Sequence, residues 1–169
     1  MEHKTFILPV SVITLHDISL LVAEVESIDA FFEQSKVRRS GTTMEPPRTS
    51  SMMEDVLQYN KLNLIRDEDR NKAKLALQAI RTKSPSLHIS FSANAPREFL
   101  EKIIGQVRRD IHPQALLQVG LQPNIGAGFT LRTTNKFFDF SLRQHLVKTK
   151  SAFIDELIKA IPKPEIKNG

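Results

Sequence analysis

The apolar pattern changes between residues 82 and 86, from helical to mixed α and β, and this limits the fold more than any other feature. Before that point apolar residues recur at spacings of three and four, the repeat of one helix face. After it, "SLHISFS" alternates strictly, with Leu87, Ile89 and Phe91 on one side and His88 and Ser90 on the other, the repeat of a half-buried strand. The junction "TKSPS" at 82–86 carries a proline and small polar residues and reads as a boundary. The chain is therefore expected to be α+β, with a helical region over 1–84 and a mixed domain over 85–169.

In the first region, "TFILPVSVI" at 5–13 is apolar and β-branched, but Pro9 restricts it to an edge strand or an extended lead-in. Thr14 and Asp17 then form a capping box in which Asp stands in for Glu. The helix they open carries Ile18, Leu21, Val22, Val25, Ile28 and Phe32 on one face. Residues 35–50 break the periodicity around Gly41, Pro46 and Pro47 and read as a basic loop holding Lys36, Arg38, Arg39 and Arg48. Ser51 and Glu54 suggest a second capping box, opening a helix over 51–64 with Met53, Val56, Leu57 and Leu64 inward. Asp67, Glu68 and Asp69 suit the positive end of a third helix, with Ala73, Leu77 and Ile80 as its stripe.

In the second region, Asn94 and Pro96 start a helix with Phe99, Leu100, Ile103, Ile104, Val107 and Ile111 on one face. "ALLQVGL" is a strand. "GFTLRT" and "KFFDF" are two more, joined through the turn "TTNK". A last amphipathic helix runs from about Ser141 to Ile161, and Pro162 and Pro164 stop it. The order is β-α-β-β-β-α.

Composition narrows the chemistry. The 169 residues are 40% hydrophobic and 25% charged, ordinary for a folded soluble core. Cysteine is absent, which excludes disulfides, thiolate metal sites and Cys nucleophiles. Tryptophan is absent too. The net charge of +5 favours acidic partners only mildly. No apolar run approaches the ~20 residues of a membrane span. The start "MEHKTFILPVSVITLHD" has Glu2, a central proline and no small-residue cleavage site, so it reads as structure rather than targeting.

Catalytic and ligand motifs mostly fail. The segment "PNIGAGFTLRTTNKFFDFSLR" at 123–143 has two close glycines, but a dinucleotide fingerprint needs a third where Leu131 stands. A Walker loop needs Gly-Lys-Ser/Thr, and Gly128 is followed by Phe129 and Thr130. Both loops must also lead into a helix, and here a strand is expected. The glycines suit a sharp turn and close backbone packing instead. Asp139 and Ser141 stand where they can cap the last helix. The five histidines, His3, His16, His88, His112 and His145, show no metal-ligand spacing. His88 lies beside Ser90 with no carboxylate near it in sequence, and there is no nucleophile elbow. The only aromatic-basic cluster for RNA is Phe137, Phe138 and Phe140 with Lys136 and Arg132, and Phe138 and Phe140 share a strand face that reads as packing on a helix. No catalytic residue, cofactor or metal site is expected.

The segment "IGAGFTLRTTNKFFDFSLRQHL" resembles the delta subunit of the F-type ATP synthase, the family of the oligomycin-sensitivity-conferring protein. Ile125, Gly126, Gly128, Arg132, Lys136, Asp139, Ser141, Arg143 and Leu146 fall in the family's register. "LHISFSANAPREFLEKIIGQV" looks like the strand–Ala–Pro–helix lead-in of the same domain, so the likeness covers residues 86–160. Ala127 replaces one of a glycine pair, Thr134 and Asn135 replace Gly-Asp, and Phe140 replaces a glycine. The family's six-helix N-terminal bundle is longer than the region before the boundary here. The resemblance implies a non-catalytic peripheral-stalk subunit joining the b subunits to the alpha/beta head. It would sit at the cytoplasmic face of the bacterial plasma membrane, touching the membrane only through the complex, with no small-molecule substrate and no nucleic acid. On that reading partner helices would meet Ile18, Leu21, Val22 and Val25, or Phe153, Leu157 and Ile158. The alternative is a basic α+β nucleic-acid-binding module.

Overall fold

The computed structural model describes residues 6–37, 47–125, 127–132 and 137–140. Three helices come first: α1 (Leu15–Val37), α2 (Ser51–Asn60) and α3 (Asp67–Lys83). Strand β1 (Ser86–Phe91), helix α4 (Arg97–Asp110) and strands β2 (Leu116–Leu121), β3 (Phe129–Arg132) and β4 (Phe137–Asp139) follow. The architecture is α+β, a helical part followed by strands and a helix. The expected last helix at 141–161, with Ser141, Arg143, Leu146, Phe153, Leu157 and Ile158, lies outside the described residues. Two compact units are present. One holds the residues up to Leu87 together with Ala95–Val119, the other His88–Asn94 with the described residues from Gly120 onward.

The helical unit starts on the expected capping box. The Asp17 N–H donates to Thr14 Oγ1 (3.2 Å), while Asp17 Oδ2 accepts from the N–H groups of Thr14 (2.8 Å) and Ile13 (2.9 Å). Three main-chain donors are thereby satisfied at the end of α1, where a helix leaves its first N–H groups without partners. Ile18, Leu21, Val22, Val25 and Ile28 are all buried. They form one core with Leu8, Val12, Met53, Val56, Leu62, Leu64, Ala73, Leu77, Ile80 and Leu116, and Phe32 packs partly against it. This corrects the reading of Ile18, Leu21, Val22 and Val25 as a partner interface. The stripe faces the chain's own core because α3 and α2 supply the complementary apolar faces.

Two boundaries differ from the sequence reading. Helix α1 runs on through Ser35 and Lys36 to Val37, so the loop does not begin at 35. Ser35 Oγ donates to the Phe31 carbonyl (2.7 Å), and Lys36 pairs with Glu33 (2.8 Å) and Asp67 (3.3 Å). Most of the basic loop, residues 38–46, lies outside the described residues. The N-cap of α2 is Ser50 rather than Ser51: its Oγ accepts from Met53 N–H (3.1 Å). Glu24 of α1 fixes that choice by accepting from both the N–H (2.6 Å) and the Oγ (2.8 Å) of Ser50. A tertiary contact thus shifts the cap by one residue, which no local motif records.

Helix α2 also stops at Asn60, four residues early, because Lys61 takes the left-handed conformation (φ 54°, ψ 44°). The Lys61 N–H then donates to the Gln58 carbonyl, and Leu62 N–H to the Leu57 carbonyl (3.0 Å), so exposed helix-end acceptors are closed off. Leu62 and Leu64 still reach the core from the turn that follows. Helix α3 begins with its three acids as expected.

The lead-in is not a strand. It turns at Pro9, whose carbonyl accepts from Val12 N–H (3.1 Å), and touches a strand only by a single parallel bridge from Thr14 to Leu117. Side chains hold it instead. Asn60 makes both main-chain bonds of Ile7, at 2.8 Å each. Arg108 of α4 donates to the carbonyls of Leu8 (3.3 Å), Pro9 (2.7 Å), Val12 (2.6 Å) and Ala115 (3.1 Å). Burial pulls its guanidinium down to about 10, still high enough for it to stay charged at neutral pH.

Helix α4 opens after Pro96, whose φ of −65° suits a helix start. Ile104 and Val107 are buried, Leu100 and Ile103 half-buried, while Phe99 and Ile111 at the stripe's ends are exposed. In the sheet the strand order is β2-β1-β3-β4. Leu116 N–H donates to the Pro85 carbonyl (3.0 Å) and Gln122 N–H to that of Phe91 (2.7 Å). The offset is the same at both ends, the mark of a parallel pair. Strand β3 pairs antiparallel with β1 and with β4, so the sheet is mixed. The alternation in β1 holds: Leu87, Ile89 and Phe91 are buried together.

Candidate functional site

The second unit carries the candidate site, on the sheet face opposite Leu87, Ile89 and Phe91. Cross-strand register sets it out in two rows. His88 of β1 stands opposite Arg132 of β3, which stands opposite Phe137 of β4. Ser90 stands opposite Thr130, which stands opposite Asp139. Directly opposed residues of an antiparallel pair share one face, so all six side chains belong to one surface. Gln122, Asn124 and Ile125, in and before the 3-10 turn Pro123–Ile125, form its wall, and the whole lines a cavity of about 390 Å³.

Each member is placed by a local rule. His88 and Ser90 take the polar positions of an alternating strand, and Ser90 Oγ lies 3.1 Å from His88 Nε2. Ser90 is buried, so that bond satisfies a hydroxyl that water does not readily reach. Gly120 makes room for the pair: a Cβ there would come within 3.2 Å of His88 Nε2 and 3.3 Å of Ser90 Oγ. Gln122 N–H holds the wall to β1 through the Phe91 carbonyl, and Ile125 N–H closes the turn on the Gln122 carbonyl (3.1 Å). Gly128, just before β3, has φ 103°, a conformation that suits glycine. Gly128 thus sits where the chain enters strand β3. Gly126 and the hairpin turn with Lys136 lie outside the described residues.

The far face of the same strands is aromatic. Phe91 and Phe129 stand opposite each other with ring centroids 5.7 Å apart, and Phe140 lies 5.0 Å from Phe129. Phe140 packs ring to ring on Phe129, and its N–H continues the β3–β4 ladder onto the Phe129 carbonyl (2.9 Å). Phe137 is different: it faces the cavity side and is 63% exposed.

Among the described residues the site does not assemble a Ser-His-Asp triad. Asp139 stands two strands from β1, about 10 Å across the sheet at the usual strand spacing. Asp139 is itself engaged in another interaction. Among the described residues no group of three or more His, Asp or Glu side chains could hold a metal ion. What the arrangement offers is hydrogen-bond donors: the Arg132 guanidinium, the Thr130 hydroxyl, the amides of Gln122 and Asn124, and the one donor that the His88–Ser90 bond leaves over. Ile125, Arg132 and Asp139 of the family-like segment all line this cavity.

The sequence shows the alternation of His88 and Ser90 and the aromatic-basic cluster of Phe137, Phe138 and Phe140 with Lys136 and Arg132, but not that His88 and Ser90 share a face with Arg132 and Phe137. The signal that unites them is pairing register, which one strand's period does not contain. No protein-family model matches the chain, and no curated protein matches it significantly.

Proposed function

We propose that the chain is a peripheral-stalk subunit of a proton-translocating F-type ATP synthase, related to the delta subunit. The observation that carries this reading is the hairpin. The family-like residues occupy distinct structural posts in it: Gly128 at positive φ before β3, Arg132 at the end of β3 and Asp139 at the end of β4. The β-α-β-β-β order agrees with the lead-in that the family shows, and no helix among the described residues is long and apolar enough to cross a membrane. On this reading the protein links the b subunits to the alpha/beta head at the cytoplasmic face of the membrane, and its work is mechanical.

The stripe on α1 is internal, so partner helices would meet other apolar side chains, such as Leu15 and Leu20 on the solvent side of α1. Among the described residues, the alternative, a nucleic-acid module, draws on the facing pair of Phe137 and Arg132.

The test is co-purification of the tagged full chain from membranes of its own host in mild detergent. Alpha, beta and b subunits are expected to elute with it, and Leu20→Glu to weaken their recovery. An ATP synthase that assembles and elutes without the chain would overturn the reading.

A further inference from the structure

We propose that the cavity on the sheet face binds a small phosphate ester carrying a flat ring, about the size of a mononucleotide. The inference does not rest on the stalk reading.

Four observations support it. First, the lining is rich in donors, with one carboxylate, Asp139, that is already engaged. Such a surface favours an anion with several acceptor oxygens. Second, Arg132 has neither an ion-pair partner nor a hydrogen-bond acceptor for its side chain among the described residues, although it lies within reach of the cavity. A guanidinium fork matches two phosphate oxygens at once, which a single hydroxyl or amide does not. Third, Phe137 stands directly across from Arg132 with its ring mostly exposed, so a flat ring attached to the phosphate can stack on it. Fourth, the cradle is built in advance. Gly120 leaves the space that the bonded His88–Ser90 pair fills, and an ordered donor set loses less entropy on binding.

Size separates this from two rivals. A cavity of about 390 Å³ is far larger than inorganic phosphate and falls at the small end of small-molecule sites. A polynucleotide would need several cations along a track and several stacking rings, and this face presents one of each among the described residues.

The experiment is titration of the full chain with adenosine monophosphate, ribose 5-phosphate, adenosine and inorganic phosphate at fixed ionic strength. Amide shifts and heat are both followed. Saturable binding of adenosine monophosphate is expected, tighter than any of the other three, with shifts concentrated at 88–91, 122–125 and 129–132. Arg132→Gln is expected to weaken it about tenfold or more, and Arg132→Lys, which keeps the charge but loses the fork, by less. Phe137→Ala is expected to weaken adenosine monophosphate while leaving ribose 5-phosphate unchanged. Gly120→Ala is expected to weaken both by displacing the His88–Ser90 pair. Arg132 and Phe137 are exposed, so their variants should fold, and an unchanged melting temperature checks this. Adenosine binding as tightly as its monophosphate would overturn the proposal. So would an Arg132→Gln variant that binds like the parent, an absence of saturation up to about 10 mM, or an oligonucleotide that binds about a hundredfold tighter than the mononucleotide.

Discussion

The helical unit and the sheet face treat the same side chain in opposite ways. Arg70, 1% exposed in the helical unit, is saturated. Its Nε donates to Asp29 (3.0 Å) and its Nη1 to the carbonyls of Leu64 (2.8 Å) and Ile65 (3.1 Å). Its Nη2 pairs with Asp67, and its Cζ lies 4.4 Å from the Phe32 ring centroid. Arg108 in the same unit is held by four carbonyls. Arg132 on the sheet face has no such set of acceptors among the described residues. A buried guanidinium must find its partners within the chain, because leaving it unpaired costs several kcal/mol. A guanidinium at an open cavity keeps its donors available. The difference separates arginine as internal fastening from arginine as a place for a ligand.

The largest test of this contrast is Arg70→Met. It leaves Asp29 and two carbonyls without their donor and is expected to cost about 3 kcal/mol in urea unfolding. Arg132→Gln should change stability by less than about 0.5 kcal/mol. Equal losses at the two sites would break the comparison. Next is the apolar stripe. Leu21→Ala is expected to cost about 3 kcal/mol, and Leu20→Ala, one residue away but 48% exposed, only a few tenths. A smaller effect comes from the capping box: Asp17→Ala should cost about 1–2 kcal/mol, since it strips acceptors from Ile13 and Thr14.

The smallest effect belongs to the exposed Lys36–Asp67 pair. The hydrogen bond from Lys36 holds the Asp67 carboxyl below its usual value, and those to Glu33 and Asp67 raise Lys36. The Asp67 contribution is present above the ordinary carboxylate pKa and fades as pH falls through the lowered one. That of Lys36 is present below the ordinary ammonium pKa and fades as pH rises through the raised one. Thermal melts of Asp67→Asn and the parent should therefore differ least at the two extremes of pH, and salt should shrink the difference at neutral pH. A difference that salt leaves unchanged would mean that Asp67 acts through Arg70 instead.

Local chemistry was legible in the sequence. Thr14 with Asp17, the three acids of α3, the alternation of β1 and the β3–β4 hairpin all carry their signal within a few residues. What the sequence did not disclose depends on distant partners. Glu24 moves the α2 cap to Ser50, α3 and α2 bury the α1 stripe, and Arg70 reads as one more surface charge until Asp29 and Phe32 are placed beside it. The candidate site falls between these cases. The alternation of His88 and Ser90 is visible in the sequence, and only register joins it to Thr130, Arg132, Phe137 and Asp139.

The guanidinium of Arg108 has a consequence for how the chain comes to be folded. It fastens Leu8, Pro9 and Val12 across 96–100 residues of sequence, and Ile13 waits for Leu117 in the same way (2.8 Å). During synthesis the three helices can leave the ribosome and find one another, and Asn60 can already hold Ile7, but the carbonyls of Leu8, Pro9 and Val12 wait for α4 and that of Ile13 for the start of β2. Closing so long a loop is slow compared with local pairing. The lead-in at 8–13 therefore gains its last fastenings late in the folding of the helical unit. A ribosome paused before residue 108 holds a nascent chain whose lead-in still lacks these fastenings.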